Sequence, residues 1–206
     1  MACGPTAAPG PTSAAQEPSA RSSAINLAEI SRVRGDLPAG YEVADLAGRV
    51  APLAFWGFGQ QWVADPPQCG VLSDPPVDGA TVRGWSGSGP GGIVYVVAAS
   101  GTSAVDQGVL GECGTSTLTA GHTSGTVTTV DAPAIEAATT LGLRTETTTV
   151  VEGGTETHSH ADTFTAYFDG YATYVTVVTD PGSSGPALDG DFAAALLVKT
   201  VAALRG

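Results

Sequence analysis

Cations are scarce in this chain. Lys and Arg together number 8 in 206 residues against 20 Asp and Glu, for a formal net charge of −12. Lys199 is the single lysine. No basic stripe or Lys/Arg cluster exists that could track a phosphate backbone, so nucleic acid is excluded as a partner class. The same charge repels anionic lipid surfaces, so membrane association would need a covalent anchor. No run of eighteen or more apolar residues is present, so no segment reads as a transmembrane helix.

Residues that carry chemistry are also few. There are 3 His and 3 Cys. No C-x-x-C and no His pair beside a cysteine exist, which excludes a zinc-finger type of site. Gly84-Trp85-Ser86-Gly87-Ser88 lacks the last glycine of a nucleophile elbow, and Ser183-Ser184 has no adjacent histidine. Carboxylates are plentiful, but their spacing singles out no acid/base pair. The chain is expected not to be an enzyme and to need no cofactor; a hydrolase with an unrecognised site is the alternative.

What is present is a chain 42% hydrophobic and only 14% charged, well below the usual quarter or so. Ala, Gly, Val, Thr and Pro take the place of charge, as the codons of a GC-rich genome favour. Pairing Cys69 with Cys113 is the economical reading of the two interior cysteines, and such a bond persists outside a reducing cytosol. Cys3 stands apart. Ala2-Cys3-Gly4 before a Pro/Ala/Ser tail resembles the end of a bacterial lipobox, with Met1-Ala2 read as a truncated or re-started precursor. Cys3 is then the expected lipidation site and the membrane the expected partner.

Residues 1–24 read as a flexible Pro/Ala/Ser-rich tether that cannot bury enough surface to fold. A coil of that length has an r.m.s. reach of roughly 25 Å. A single domain is expected over 25–206. It opens with a short helix capped by Asn26, with Glu29 placed for a capping box and Gly35 and Pro38 ending it. Leu27, Ile30 and Val33 form its buried stripe. Strands are expected at 41–46, 81–86, 92–100, 115–120, 126–130, 141–151, 157–168 and 171–179, rich in Thr, Val and Tyr and separated by turn signals. One helical turn within 104–112 carries Cys113 to the sheet. A last helix, capped by Asp189 or Asp191, runs over 192–204 with Ala193, Leu197, Val201 and Leu204 as its apolar stripe. The fold expected is α+β: a curved antiparallel sheet of about six to eight strands with the N- and C-terminal helices packed on one face.

Three stretches invite functional readings. Gly87-Ser88-Gly89-Pro90-Gly91-Gly92 matches G-x-G-x-x-G, but a strand follows it instead of a helix, so it reads as a glycine-rich hairpin. Trp56, Phe58, Trp62 and Trp85 lie in the aromatic, Gly/Pro-rich stretch and its sequel. They read first as packing residues, and alternatively as the lining of a ligand cleft. Glu156, His158, His160 and Asp162 alternate along one strand and so share a face. Two imidazoles at that spacing can chelate zinc, copper or nickel; the competing reading is a polar strand end lying beyond the helix-covered core.

Several segments together resemble a mycobacterial and actinobacterial lipoprotein family of unknown function. They are Leu37-Pro38-Ala39-Gly40-Tyr41-Glu42-Val43, Phe55-Trp56-Gly57, Trp62-Val63-Ala64-Asp65-Pro66-Pro67-Gln68-Cys69 and Gly84 through Tyr95. Ala161-Asp162-Thr163-Phe164-Thr165-Ala166-Tyr167 and Val178-Thr179-Asp180-Pro181-Gly182 continue the likeness. That family is distantly similar to the extracellular sensor domain of the PknH-type receptor kinase. The resemblance implies an extracytoplasmic, lipid-anchored, disulfide-bonded domain with a cleft suited to a ligand; an envelope lipid, glycan or protein is the ligand expected. It implies no catalytic residues. The kinase sensor type carries two disulfides where this chain has one interior pair, so its cleft geometry is not carried over.

Overall fold

The computed structural model describes residues 1, 4, 24–46, 48, 51–101, 105–179 and 186–206. Cys3, Ser183, Ser184 and nearly all of the expected tether lie outside the described residues.

Among the described residues, runs of Thr, Val and Tyr separated by turn residues give nine strands: β1 (Glu42–Leu46), β2 (Val63–Asp65), β3 (Arg83–Gly89), β4 (Gly92–Ser100), β5 (Thr115–Ala120), β6 (Thr123–Val130), β7 (Thr139–Val150), β8 (Glu156–Phe168) and β9 (Tyr171–Thr179). They form one antiparallel sheet in the order β1-β3-β4-β9-β8-β7-β6-β5-β2. Strands β5 to β9 are a meander, since each pairs with the next in sequence. The β8–β9 turn uses Asp169 at φ 49° and Gly170 at φ 79°, the two positive values that a tight hairpin matching strand twist requires.

Two helices cover one face of this sheet. The N-terminal 3₁₀ helix (Leu27–Asp36) lies against β3 and β4, and the C-terminal α-helix (Gly190–Arg205) against β8 and β9. Ile30, Val33, Leu197, Val201 and Leu204 pack there on Trp85, Val96, Phe164, Phe168 and Val175. Each large aliphatic group so buried contributes about 1.5–3 kcal/mol. Asn26 begins the first helix by accepting from the Ala28 N–H at 3.1 Å. Its own backbone N–H donates to the Leu204 carbonyl at 2.9 Å, which ties the start of one helix to the end of the other. Asp189 caps the second helix, its Oδ1 accepting from the Phe192 N–H at 2.9 Å. Lys199 and Asp36 form an ion pair between the two helices.

The opposite face is covered by the irregular stretch 51–79. Leu53, Trp56, Phe58, Ala64, Cys69 and Leu72 pack there on Leu118, Val127, Leu141, Leu143 and Ala161. The central strands are thus buried on both sides, and residues 161–168 form one continuous buried run. This is why β8 loses its polar/apolar alternation beyond Ala161.

The sheet has one strand more than the upper expectation. β2 goes beyond the expectation because three residues followed by two prolines carry no period of their own; Val63, Ala64 and Asp65 gain strand geometry from pairing with Thr119, Leu118 and Thr117. The N-terminal helix has 3₁₀ geometry and runs one residue past Gly35. Asn26 Oδ1 caps the Ala28 N–H, and Glu29 accepts from the Asn26 side-chain amide instead of its backbone N–H, so Asn26 is the N-cap but the capping box does not form.

Candidate functional site

The stretch 51–79 is fastened at its middle. Cys69 ends a 3₁₀ turn (Pro67–Cys69), Cys113 follows a helical turn (Gln107–Glu112), and the two sulfurs are bonded with Cα atoms 5.5 Å apart. Both cysteines are buried. The bond closes a loop of sequence separation 44. In the chain-entropy account a loop of that length contributes roughly 4 kcal/mol.

The three tryptophans end in different environments. Trp56 is 1% exposed, and its indole N–H donates to Thr163 Oγ1 at 3.0 Å. Trp85 is fully buried on the other side of the sheet, donating to the Ile30 carbonyl at 3.0 Å. Phe58 is buried too, its ring edge resting over Gly125. The four aromatic residues therefore do not make one platform. The sheet separates Trp85 from the rest, and Trp56 is spent on the core.

Trp62 differs. It is half-buried, and among the described residues its indole N–H has no partner. The tip of its ring lies on Gly70, where a Cβ would stand 2.8 Å from Trp62 Cη2. An open cleft of about 460 Å³ lies beside it, lined by Ala51, Leu53, Ala54, Phe58, Gly59, Gln60, Trp62 and Asp74. Its volume falls within the ~300–1,000 Å³ typical of small-molecule sites. Gln60 and Asp74 were missed at the sequence level, since nothing in their spacing separates them from other loop polars.

Glu156, His158, His160 and Asp162 do share a face of β8, but they are not gathered around one point. His160 bridges two carboxylates: Nδ1 meets Glu146 Oε1 at 2.7 Å and Nε2 meets Asp162 Oδ2 at 3.0 Å. Asp162 is buried and also accepts from Arg144 Nε at 3.0 Å. Gly190, the first residue of the C-terminal helix, sits against that carboxylate. His158 is exposed, with Nδ1 at 3.1 Å from Thr148 Oγ1 and Nε2 at 3.9 Å from Glu156. Among the described residues no group of three or more His, Cys, Asp and Glu is placed to share a metal ion. Burial pulls the His160 pKa down, but hydrogen bonds and attraction from Asp162 and Glu146 outweigh it, and the net shift is upward. Glu146 could not be assigned to this group from sequence because it reaches His160 only through the β7–β8 register.

The helices leave β7, β6, β5 and β2 uncovered on their side of the sheet. A shallow hollow of about 440 Å³ there is lined by Thr117, Thr119, Ser124, Thr126, Glu146 and Thr148 among others.

These features define a class: an α+β domain in which two terminal helices back one face of an open antiparallel sheet and a disulfide-fastened aromatic segment backs the other. The chain belongs to the family described as Domain of unknown function (DUF5642), which matches residues 26–205. Its fold is similar to that of an uncharacterized protein from Mycobacterium smegmatis, the Rv0999 ortholog, at a TM-score of 0.62 and 19% identity over 88% of this chain and 98% of that one. The extracellular domain of PknH from Mycobacterium tuberculosis matches at a TM-score of 0.46 and 15% identity, over 87% of this chain and 92% of that one. No curated protein matches the sequence.

Proposed function

We propose that this is a non-enzymatic, extracytoplasmic ligand-binding domain that works in the manner of a sensor. It is held to the outer face of the plasma membrane by a lipid on Cys3 and engages an envelope component at the Trp62 cleft. One observation carries the reading. Of the three tryptophans, two are sealed in the core with their N–H groups bonded, while Trp62 borders an open cleft with its N–H unspent. A half-exposed indole beside a cleft offers both apolar surface and a donor to a ligand, the combination that makes Trp common at binding surfaces.

The disulfide supports this compartment, since such a bond persists in an oxidising space. Anchoring through Cys3 fits the acidity of the chain, because a domain of net charge −12 does not adsorb to anionic lipid unaided. Among the described residues no helix is long and apolar enough to cross a membrane.

The test is binding of the full chain to fractionated envelope lipids and glycans, compared with Trp62→Ala. Saturable binding that is lost in the variant supports the reading. Equal binding by parent and variant, or none in any fraction, overturns it. Labelling with an alkyne fatty acid that disappears in Cys3→Ala tests the anchor separately.

A further inference from the structure

His160 stands between two carboxylates and meets one with each ring nitrogen: Glu146 Oε1 lies 2.7 Å from Nδ1 and Asp162 Oδ2 lies 3.0 Å from Nε2. A protonated imidazole donates from both nitrogens, so it serves both carboxylates. A neutral ring keeps one N–H and turns a lone pair toward the other carboxylate, which repels it. Loss of one proton to water therefore breaks one of the two contacts.

Burial decides which one breaks. The Asp162 side chain is 6% exposed, and its Oδ1 already accepts from Arg144 Nε at 3.0 Å. Gly190 closes over it, since a Cβ there would stand 3.2 Å from Asp162 Oδ2. Without the histidine donor, Oδ2 would be a buried charge that water does not reach. Glu146 is 67% exposed, with His160 as its one partner among the described residues, so water replaces the lost bond at little cost. The neutral ring thus keeps its proton on Nε2 and lets Glu146 go. Glu146 lines the hollow over β5, β6 and β7 together with Thr117, Thr126 and Thr148, and Thr126 is its partner on β6. We propose that His160 is a pH-operated latch, which holds Glu146 against β8 while protonated and releases it over the hydroxyl-lined hollow when neutral. The charge and shape of the sheet face that the helices leave uncovered change with that step.

Among the described residues the charged groups around His160 are Glu146 and Arg144 of β7 and Asp162 of β8. Its neighbour on β9 is Thr179, and the helix start adds Asp189 and Asp191 on either side of Gly190. Burial lowers the His160 pKa, but hydrogen bonds and attraction from Asp162 and Glu146 outweigh it and set the changeover above the ordinary 6.5. The latch is closed in acid and opens as pH rises through that raised value. It does not depend on the Trp62 cleft being a binding site.

The experiment is a magnetic-resonance titration of the isotope-labelled full chain across about pH 5 to 9. Long-range ring correlations read the protonation and tautomer of His160, and three-bond couplings read the Glu146 χ1 rotamer. The neutral ring is expected as the Nε2–H tautomer. Glu146 is expected to pass from one rotamer to an averaged set with the same midpoint as His160, while Asp162 keeps its rotamer throughout. In Glu146→Gln the side-chain amide can donate to the bare Nδ1, so that side chain is expected to stay in one rotamer at both ends of the titration. His160→Gln, which is neutral at every pH, is expected to remove the pH dependence of the Glu146 rotamer. Indole resonances of Trp56 and Trp85 at their parent positions establish that the variants are folded. An Nδ1–H tautomer in the neutral ring, a Glu146 rotamer that is the same on both sides of the His160 midpoint, or a rotamer change that persists in His160→Gln overturns the latch.

Discussion

Trp56 donates its indole N–H to Thr163 Oγ1 across 107 residues of chain, at 3.0 Å and out of reach of solvent. Thr163 Oγ1 in turn lies 2.9 Å from Thr176 Oγ1 on the neighbouring strand. The contact fixes the irregular segment to the two central strands at a second point, besides the disulfide. Thr163→Val keeps the shape but leaves the Trp56 N–H buried without a partner, which costs about 1–3 kcal/mol. Trp56→Ala also opens a cavity and costs about 3–5 kcal/mol. Urea melts of the two variants check both values, and Trp56→Ala should be the less stable of the two.

Reduction of Cys69–Cys113 releases the other fastening. Cys69→Ser/Cys113→Ser is expected to lower stability by up to roughly 4 kcal/mol. The sheet core of β4, β8 and β9 is held from the helix side as well, so it should outlast the aromatic segment. Hydrogen exchange should therefore rise first over 51–79 and only later in β8.

Gly70 and Trp62 give a probe that barely touches stability. Gly70 has ordinary helical backbone angles, so Gly70→Ala strains no backbone. Its new Cβ would stand 2.8 Å from the tip of the Trp62 ring, and the ring is the part that yields. The expected result is a stability change within about 1 kcal/mol, together with a shifted Trp62 resonance and weaker binding in the cleft. A large loss of stability would mean that Trp62 is rigidly held.

His160 makes stability depend on pH. Its pKa is raised above the ordinary 6.5, so folding favours the protonated ring. The contribution is complete below about pH 6.5 and is lost as pH rises through the folded value. Glu146, Asp162 and Arg144 are the charged groups facing it. Melting temperatures of the parent should fall over that window, while His160→Gln should show a flatter profile there. The pKa can be read directly from the imidazole proton resonances.

Much of this fold was legible because strand residues and turn residues are cleanly separated in the chain. Asp169-Gly170, Glu152-Gly153-Gly154 and the glycine-rich turn before Ile93 mark hairpins that the structure contains. β2 was not legible, since its three residues are strand only by virtue of β5. The aromatic residues were seen as a set because sequence does not say which side of a sheet an irregular segment will cover. Burial of Trp56 and Trp85 and the availability of Trp62 depend on tertiary contacts with Thr163, Ile30 and Gly70. The same holds for His160: its alternation with Asp162 could be read, but its pairing with Glu146 needed the register of β7 against β8.

The most direct measurement is a ¹⁵N spectrum of the three indole N–H groups, recorded with a soluble paramagnetic probe and then with envelope extract. The account predicts that the probe broadens Trp62 alone, and that the extract shifts Trp62 while leaving Trp56 and Trp85 in place. Equal protection of all three indoles, or an extract that moves Trp56 or Trp85 and spares Trp62, would contradict it.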